Sequence, residues 1–310
     1  NIQFTDINTG YVYCYDFTVM KTTNGGINWS INLITRYALS SMLHFVNSNS
    51  GFIGGANGEI HKTTNAGNNW FPIRSGDTSH FKSVYFTSAN TGYSVGSGGT
   101  ILTTTDGGEL WTTQSSGLNI YLNSIHFPDN NTGYVAGDSG IVLKTINKGA
   151  NWTSINTNIN KNLNSIFFTN SNTGYTGANG GILAKTTNGG NTWQLLQTGI
   201  TDSIKSICFL NDNTGFVGGG FKVLKTTDGG LTWIVRFTYS STFANLLSLY
   251  FISPEIGFAG GTISATSPPY GSRQYIIKTT NGGDNWVENV FLADGAVKSI
   301  FFIDINTGYF

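Results

Sequence analysis

The tripeptide Asn-Thr-Gly, intact or in variant form, returns at Gly10, Gly51, Gly92, Gly133, Gly174, Gly215, Gly257 and Gly308, in steps of 41 residues except for the last two. A second signature follows each of the first seven. Its fullest form is Lys-Thr-Thr-Asn-Gly-Gly-x-Asn-Trp, and it ends on all seven tryptophans of the chain. A period near 40 residues, filled with short apolar runs and Gly/Asn-rich turns, is the pattern of a β-propeller in which each repeat is one blade. The expected fold is therefore all-β, a single β-propeller domain over residues 1–310 built from four-stranded antiparallel blades. Seven repeats are complete, and a partial eighth occupies about 298–310. Seven blades are favoured and eight are the alternative, because the surplus residues suit the inner strands of a last blade.

The first strand of each repeat carries an invariant phenylalanine: Phe4, Phe45, Phe86, Phe127, Phe168, Phe209, Phe251 and Phe302. Residues two apart share a face of a strand, so Ile166 and Phe168 point one way and Phe167 the other. Both faces are apolar, as stacked blades require. His44 and His126 fall at the variable position of that strand and read as packed histidines, not metal ligands. The second strand begins at the aromatic after the glycine, and the third runs into Lys-Thr-Thr. Between the third and fourth strands, an Asn or Asp can accept backbone amides while Gly supplies positive φ. The tryptophan then folds under its own hairpin, and a buried indole removes roughly 150–250 Å² from water. This structural role falls to Asn24, Trp29, Asn65, Trp70, Asp106, Trp111, Asn147, Trp152, Asn188, Trp193, Asp228, Trp233, Asn281 and Trp286.

The turn resembles the Asp-box, or BNR, repeat Ser/Thr-x-Asp-x-Gly-x-Thr-Trp. Thr226 to Trp233, with Asp228, is nearest to that form, and Asn replaces Asp at 24, 65, 147 and 281. Together with the Asn-Thr-Gly half, the whole repeat is similar to the propellers of the photosystem II assembly and stability factor family and its secreted bacterial relatives. The resemblance implies the fold. It also implies an arginine-rich patch for a membrane-protein client, but the four arginines here, Arg36, Arg74, Arg236 and Arg273, are dispersed. Asp-box propellers include sialidases, whose arginine trio is missing. Phe71-Pro72-Ile73-Arg74 does not reproduce their Arg-Ile-Pro motif.

Repeat seven departs from the pattern, with 29 residues from Gly257 to Trp286 against 18 or 19 elsewhere. The surplus is expected in the connection between the second and third strands, within Thr262 to Gln274. Its Pro268, Pro269, Tyr270 and Arg273 are the candidate contact residues, since recognition residues concentrate on loops of rigid scaffolds. Lys82, Lys205 and Lys298 share one repeat position at the same end and form a partial ring of ammonium groups for an anionic or polar ligand. Solvated lysines and a tolerated insertion are the plainer readings. A glycosidase needs two carboxyl groups across a cleft, and Asp77, Asp202 and Asp294 are the candidates at that end.

Only 10% of residues are charged and the formal net charge is zero, which leaves no electrostatic footprint for nucleic acid. No apolar run is long enough to cross a bilayer. Cys14 and Cys208 lie in repeats one and six and are expected to be free thiols. No Cys/His zinc spacing or EF-hand loop occurs, so no metal or cofactor is expected. The chain reads as a non-catalytic binding or scaffold propeller for a protein or glycan, exported or on the bacterial cell surface, and a module of a larger chain. A polysaccharide-active glycoside hydrolase is the alternative.

Overall fold

The computed structural model of the chain describes residues 2–4, 9–13, 18–23, 30–33, 40–239, 244–251, 253–264 and 272–294. Cys14, Asn24, Trp29, Pro268, Pro269, Tyr270, Lys298 and the partial eighth repeat lie outside them. The described strands form seven four-stranded antiparallel sheets, each a meander of four consecutive strands. The sheets span 2–33, 40–74, 81–115, 122–156, 163–196, 204–238 and 244–294, one per complete repeat, an all-β arrangement of propeller type. They fall into two compact units. Tyr37–Leu196 holds sheets two to five; Asn1–Arg36 and Gln197–Phe310 hold sheets one, six and seven.

Within Tyr37–Leu196 the repeat signature is explained by one packing motif. Phe86 pairs in register with Gly92, and its ring lies so close that a Cβ on that glycine would sit 2.5 Å from it. Phe45 over Gly51, Phe127 over Gly133 and Phe168 over Gly174 repeat the arrangement. These glycines are required for space, not for an unusual φ. The same rings meet the tryptophan of their own repeat edge-on, with centroids 5.8–6.1 Å apart. They also stack on the aromatic that follows the glycine one repeat earlier: Phe52 on Phe86 at 4.8 Å, Tyr93 on Phe127 at 4.4 Å, Tyr134 on Phe168 at 3.5 Å. Glycine, phenylalanine, tryptophan and the preceding aromatic therefore form one cluster per junction. In the other unit Phe209 covers Gly215 and Phe251 covers Gly257, and Phe216 stacks on Phe251 at 4.0 Å.

The indoles are less uniform than expected. Trp111 is buried at 4% exposure, whereas Trp70, Trp152, Trp193, Trp233 and Trp286 are half-buried. The indole N–H is used on groups near the surface: Trp233 and Trp286 donate to Gly230 O and Gly283 O of their own turns, and Trp152 to Gln114 Oε1, each at 3.1 Å. Cys208 is a free cysteine, and burial pushes its thiol up to about 11.

His126 sits between Tyr85 and Phe167, with ring centroids at 5.4 and 4.7 Å. Its Nδ1 accepts the Phe168 N–H at 3.4 Å, which requires a neutral imidazole. Burial holds both His126 and His44 down at about 4.

Trp111→Ala is expected to cost about 3–5 kcal/mol in urea unfolding, the range of a buried aromatic truncation. For His126 the folded-state value lies below the ordinary 6.5, so the unfolded chain takes up the proton first. Stability is then lost as pH falls from about 6.5 towards about 4. His126→Phe, which copies Phe167 at the equivalent position, should flatten that part of the profile of urea midpoint against pH.

Candidate functional site

Each sheet has two loop-bearing ends. One carries the Asp-box turn and the connection between the first two strands; the other carries the connection between second and third strands and the link to the next repeat. At the Asp-box end the organising group is the first threonine of Lys-Thr-Thr. Thr63, Thr104, Thr145, Thr186, Thr226 and Thr279 are all buried. Each hydroxyl donates to the Asn or Asp Oδ1 two residues on, at 2.7–3.1 Å. Each accepts the glycine N–H four residues on, at 2.8–2.9 Å. The same Oδ1 accepts a second amide at 2.9–3.1 Å. The turn needs an oxygen acceptor and no charge, which explains the free exchange of Asn and Asp. The residue after that Asn or Asp is left-handed, and Ala66 and Lys148 adopt this conformation at φ 55 and 57 where other repeats use glycine. Its N–H in each case reaches back to the first connection, as from Gly189 to Asn172 O at 2.8 Å.

The signature lysine was not anticipated as a structural element. It lies opposite the aromatic of the second strand, with Nζ 5.5–5.9 Å from the ring centroid in Lys62 over Phe52, Lys144 over Tyr134 and Lys225 over Phe216. From there it reaches the box of the following repeat. Lys62 pairs with Glu109. Lys225 pairs with Asp284 at 3.0 Å, which Arg236 also approaches at 3.3 Å. Lys144 instead donates to Gly189 O at 2.7 Å. Repeat three has Thr103 in place of the lysine, and there Tyr93 Oη donates to Lys148 O at 2.7 Å.

At the opposite end the structure corrects the expected insertion. Thr262, Ile263 and Ser264 are strand residues paired with Gln274, Arg273 and Ser272, so the surplus lengthens a hairpin. Residues 265–271 lie outside the described residues. The β-branched Thr262 and Ile263 continue the ladder because nothing forces a turn there. Arg273 is thus a strand residue, with Asp294 as its register partner on the fourth strand.

Lys82 places Nζ 5.5 Å from the Tyr121 ring centroid. At its position the next two repeats carry Asn123, donating to Asp138 Oδ1 at 2.9 Å, and Asn164, donating to Asn179 Oδ1 at 3.0 Å. Lys205 is half-buried in the first strand of sheet six. Asp77 Oδ1 accepts the Ser79 N–H at 2.6 Å within its own loop, and Asp202 lies against Gly220. Asp77 belongs to one compact unit, Asp202 and Asp294 to the other. Among the described residues no group of three His, Cys, Asp or Glu is arranged to hold a metal, and no helix is long and apolar enough to cross a membrane.

Residues 75–194 and 151–238, together just over half of the chain, match the family model of the photosynthesis system II assembly factor YCF48. No curated protein matches the sequence. Among solved structures, YCF48 bound to a D1 peptide aligns with a TM-score of 0.68 at 19% identity, over 84% of this chain and 87% of that one. YCF48 from Cyanidioschyzon merolae aligns at 0.67 and 20% identity, over 83% and 90%. An ancestral GH74 enzyme aligns at 0.57 and 19% identity, over 82% of this chain and 37% of its own. At such identities the likeness is one of fold.

The box at Asp228 gives a pH test. Hydrogen bonds from the Thr232 hydroxyl, the Thr232 N–H and Thr226 hold its carboxyl down at about 2. The folded value lies below the unfolded one of about 3.9, so its contribution is complete above that value and is lost as pH falls towards about 2. Urea midpoints measured from pH 5 downwards, on the order of half-unit steps, should fall less steeply in Asp228→Asn than in the wild type.

Proposed function

The chain belongs to the photosynthesis system II assembly factor family, and from that premise we propose that it is a non-catalytic scaffold for a protein partner. The solved YCF48 that carries a D1 peptide supports a peptide segment as the ligand class. We assign the chain to a single propeller domain of seven blades, with eight as the alternative, and to a larger exported or cell-surface bacterial protein. The low charge content and the Asn/Thr/Gly richness support that location.

One observation carries the choice of face. The second and third strands of sheet seven run for eight residues each, against five at most in the other sheets. In sequence, residues 265–271, with Pro268, Pro269 and Tyr270, connect these two strands, and Arg273 belongs to the second of them. A stiff Pro-Pro-Tyr tip loses little entropy on a partner, and Tyr and Arg are over-represented among the residues that dominate binding energy. Lys82, Lys205 and Lys298 are the second set of contacts. A glycan partner and a hydrolase using Asp77, Asp202 and Asp294 are tested alongside.

Panning the full chain against a random peptide library should return binders. Replacing 265–271 by an Asn-Gly turn should weaken them by about tenfold or more, the effect of losing a dominant contact, with an unchanged melting temperature. Retention only on a glycan array would replace the protein partner by a glycan. Release of reducing sugar from a polysaccharide would overturn the non-catalytic reading.

A further inference from the structure

The latch between consecutive repeats is an internal comparison. Two residues before the tryptophan, repeats three and seven carry Glu109 and Asp284, and these take the ammonium of the preceding lysine. Repeat four carries Ala150 there, opposite Thr103, so charge is absent from both sides. Repeat five carries Asn191 opposite Lys144. This junction has the cation without the carboxylate.

Among the described residues Lys144 has no ion-pair partner. One of its three N–H groups is used on Gly189 O at 2.7 Å. Beside it lies a groove of about 450 Å³ whose lining includes Lys144, Ile146, Asn151, Thr153, Ile155 and Asn191. Ile146 stands where most repeats have threonine and is 71% exposed. Ile155 stands where repeat six has Arg236, so the floor is apolar where another junction adds a second cation. Thr153–Asn156 is the last strand of its sheet, which leaves an edge of backbone donors and acceptors along the groove. Partial burial lowers the Lys144 pKa.

We propose that this groove binds an acidic peptide segment of a partner protein, whose carboxylate takes the place beside Lys144 that Glu109 and Asp284 fill at two other junctions. The two isoleucines and the open strand edge suit the side chains and backbone of an extended peptide, and favour it over an acidic sugar. Asn151, Thr153 and Asn191 supply the polar rim. The site uses Asp-box turns and not the hairpin assigned above, so the two readings fail separately.

The test is an NMR titration of the full chain, following backbone amides, with blocked acetyl-Val-Glu-Thr-amide, its Gln counterpart and glucuronate as probes. Saturable shifts at Thr153, Ile155 and Asn191 are expected with the Glu peptide, and binding about tenfold weaker with the Gln peptide. Asn191→Asp installs the carboxylate that repeat seven already tolerates, so it should fold normally and lose the Glu peptide by the same factor. Lys144→Met should lose it as well. Absence of saturable shifts in the wild type, equal affinity of the two peptides, or undiminished binding by Asn191→Asp would overturn the site. Binding of glucuronate alone would overturn the choice of a peptide.

Discussion

The contact on which the rest of the structure depends is a benzene ring laid across a glycine. In a sheet buried on both faces, a glycine in the second strand would leave a hole, and the in-register phenylalanine of the first strand fills it. A Cβ at Gly92, Gly133 or Gly174 would meet that ring at 2.5 Å, so glycine and phenylalanine are fixed together. Filling the hole places the ring where it can touch two further aromatics. One is the tryptophan of the same hairpin, edge-on; the other is the aromatic of the preceding repeat, stacked. A within-sheet necessity thus becomes the between-sheet contact, and the apolar area it removes from water, worth about 25 cal/mol per Å², is shared by local and neighbouring structure.

The polar half of the repeat follows the same economy. Six threonine hydroxyls, each buried, serve at once as donor to an Asx oxygen and acceptor from a glycine amide. A buried hydroxyl with both functions satisfied avoids the penalty of an unpaired polar group. The Asx oxygen is then free to collect the next amide, and whether its carbon bears a second oxygen or a nitrogen is left to the surface. At Asp228 the second oxygen takes the Thr232 hydroxyl at 2.5 Å, while at Asn188 the nitrogen donates to the Thr192 hydroxyl at 2.8 Å. The threonine rotates its proton to suit, so the turn is indifferent to the exchange.

Periodicity made the sheets, the phenylalanine, the tryptophan and the Asx turn legible, because each recurs at fixed spacing and answers a local need. The threonine hub recurs as faithfully, yet its role depends on where a hydroxyl points, and spacing carries no such information. The lysine latch was legible in principle. Lys62 with Glu109, Lys225 with Asp284 and Thr103 with Ala150 are matched pairs in adjacent repeats, visible only when one copy is read against the next. Length alone placed the surplus of repeat seven, and length does not distinguish a loop from a longer ladder. Thr262, Ile263 and Arg273 turned out to be strand residues, since pairing continues wherever the backbone meets no obstacle.

The latch also bears on how such an array can change over evolutionary time. Tandem repeats invite unequal recombination, which deletes or duplicates whole copies and leaves every local turn intact. Here Lys62 and Lys225 each meet a carboxylate that the following copy presents, Glu109 and Asp284. Loss of the third copy would set the nearly buried Lys62 against Ala150, stranding a cation at the seam. Copies that look interchangeable in their turns therefore differ in the charge they present to a neighbour, as Glu109, Ala150, Asn191 and Asp284 show.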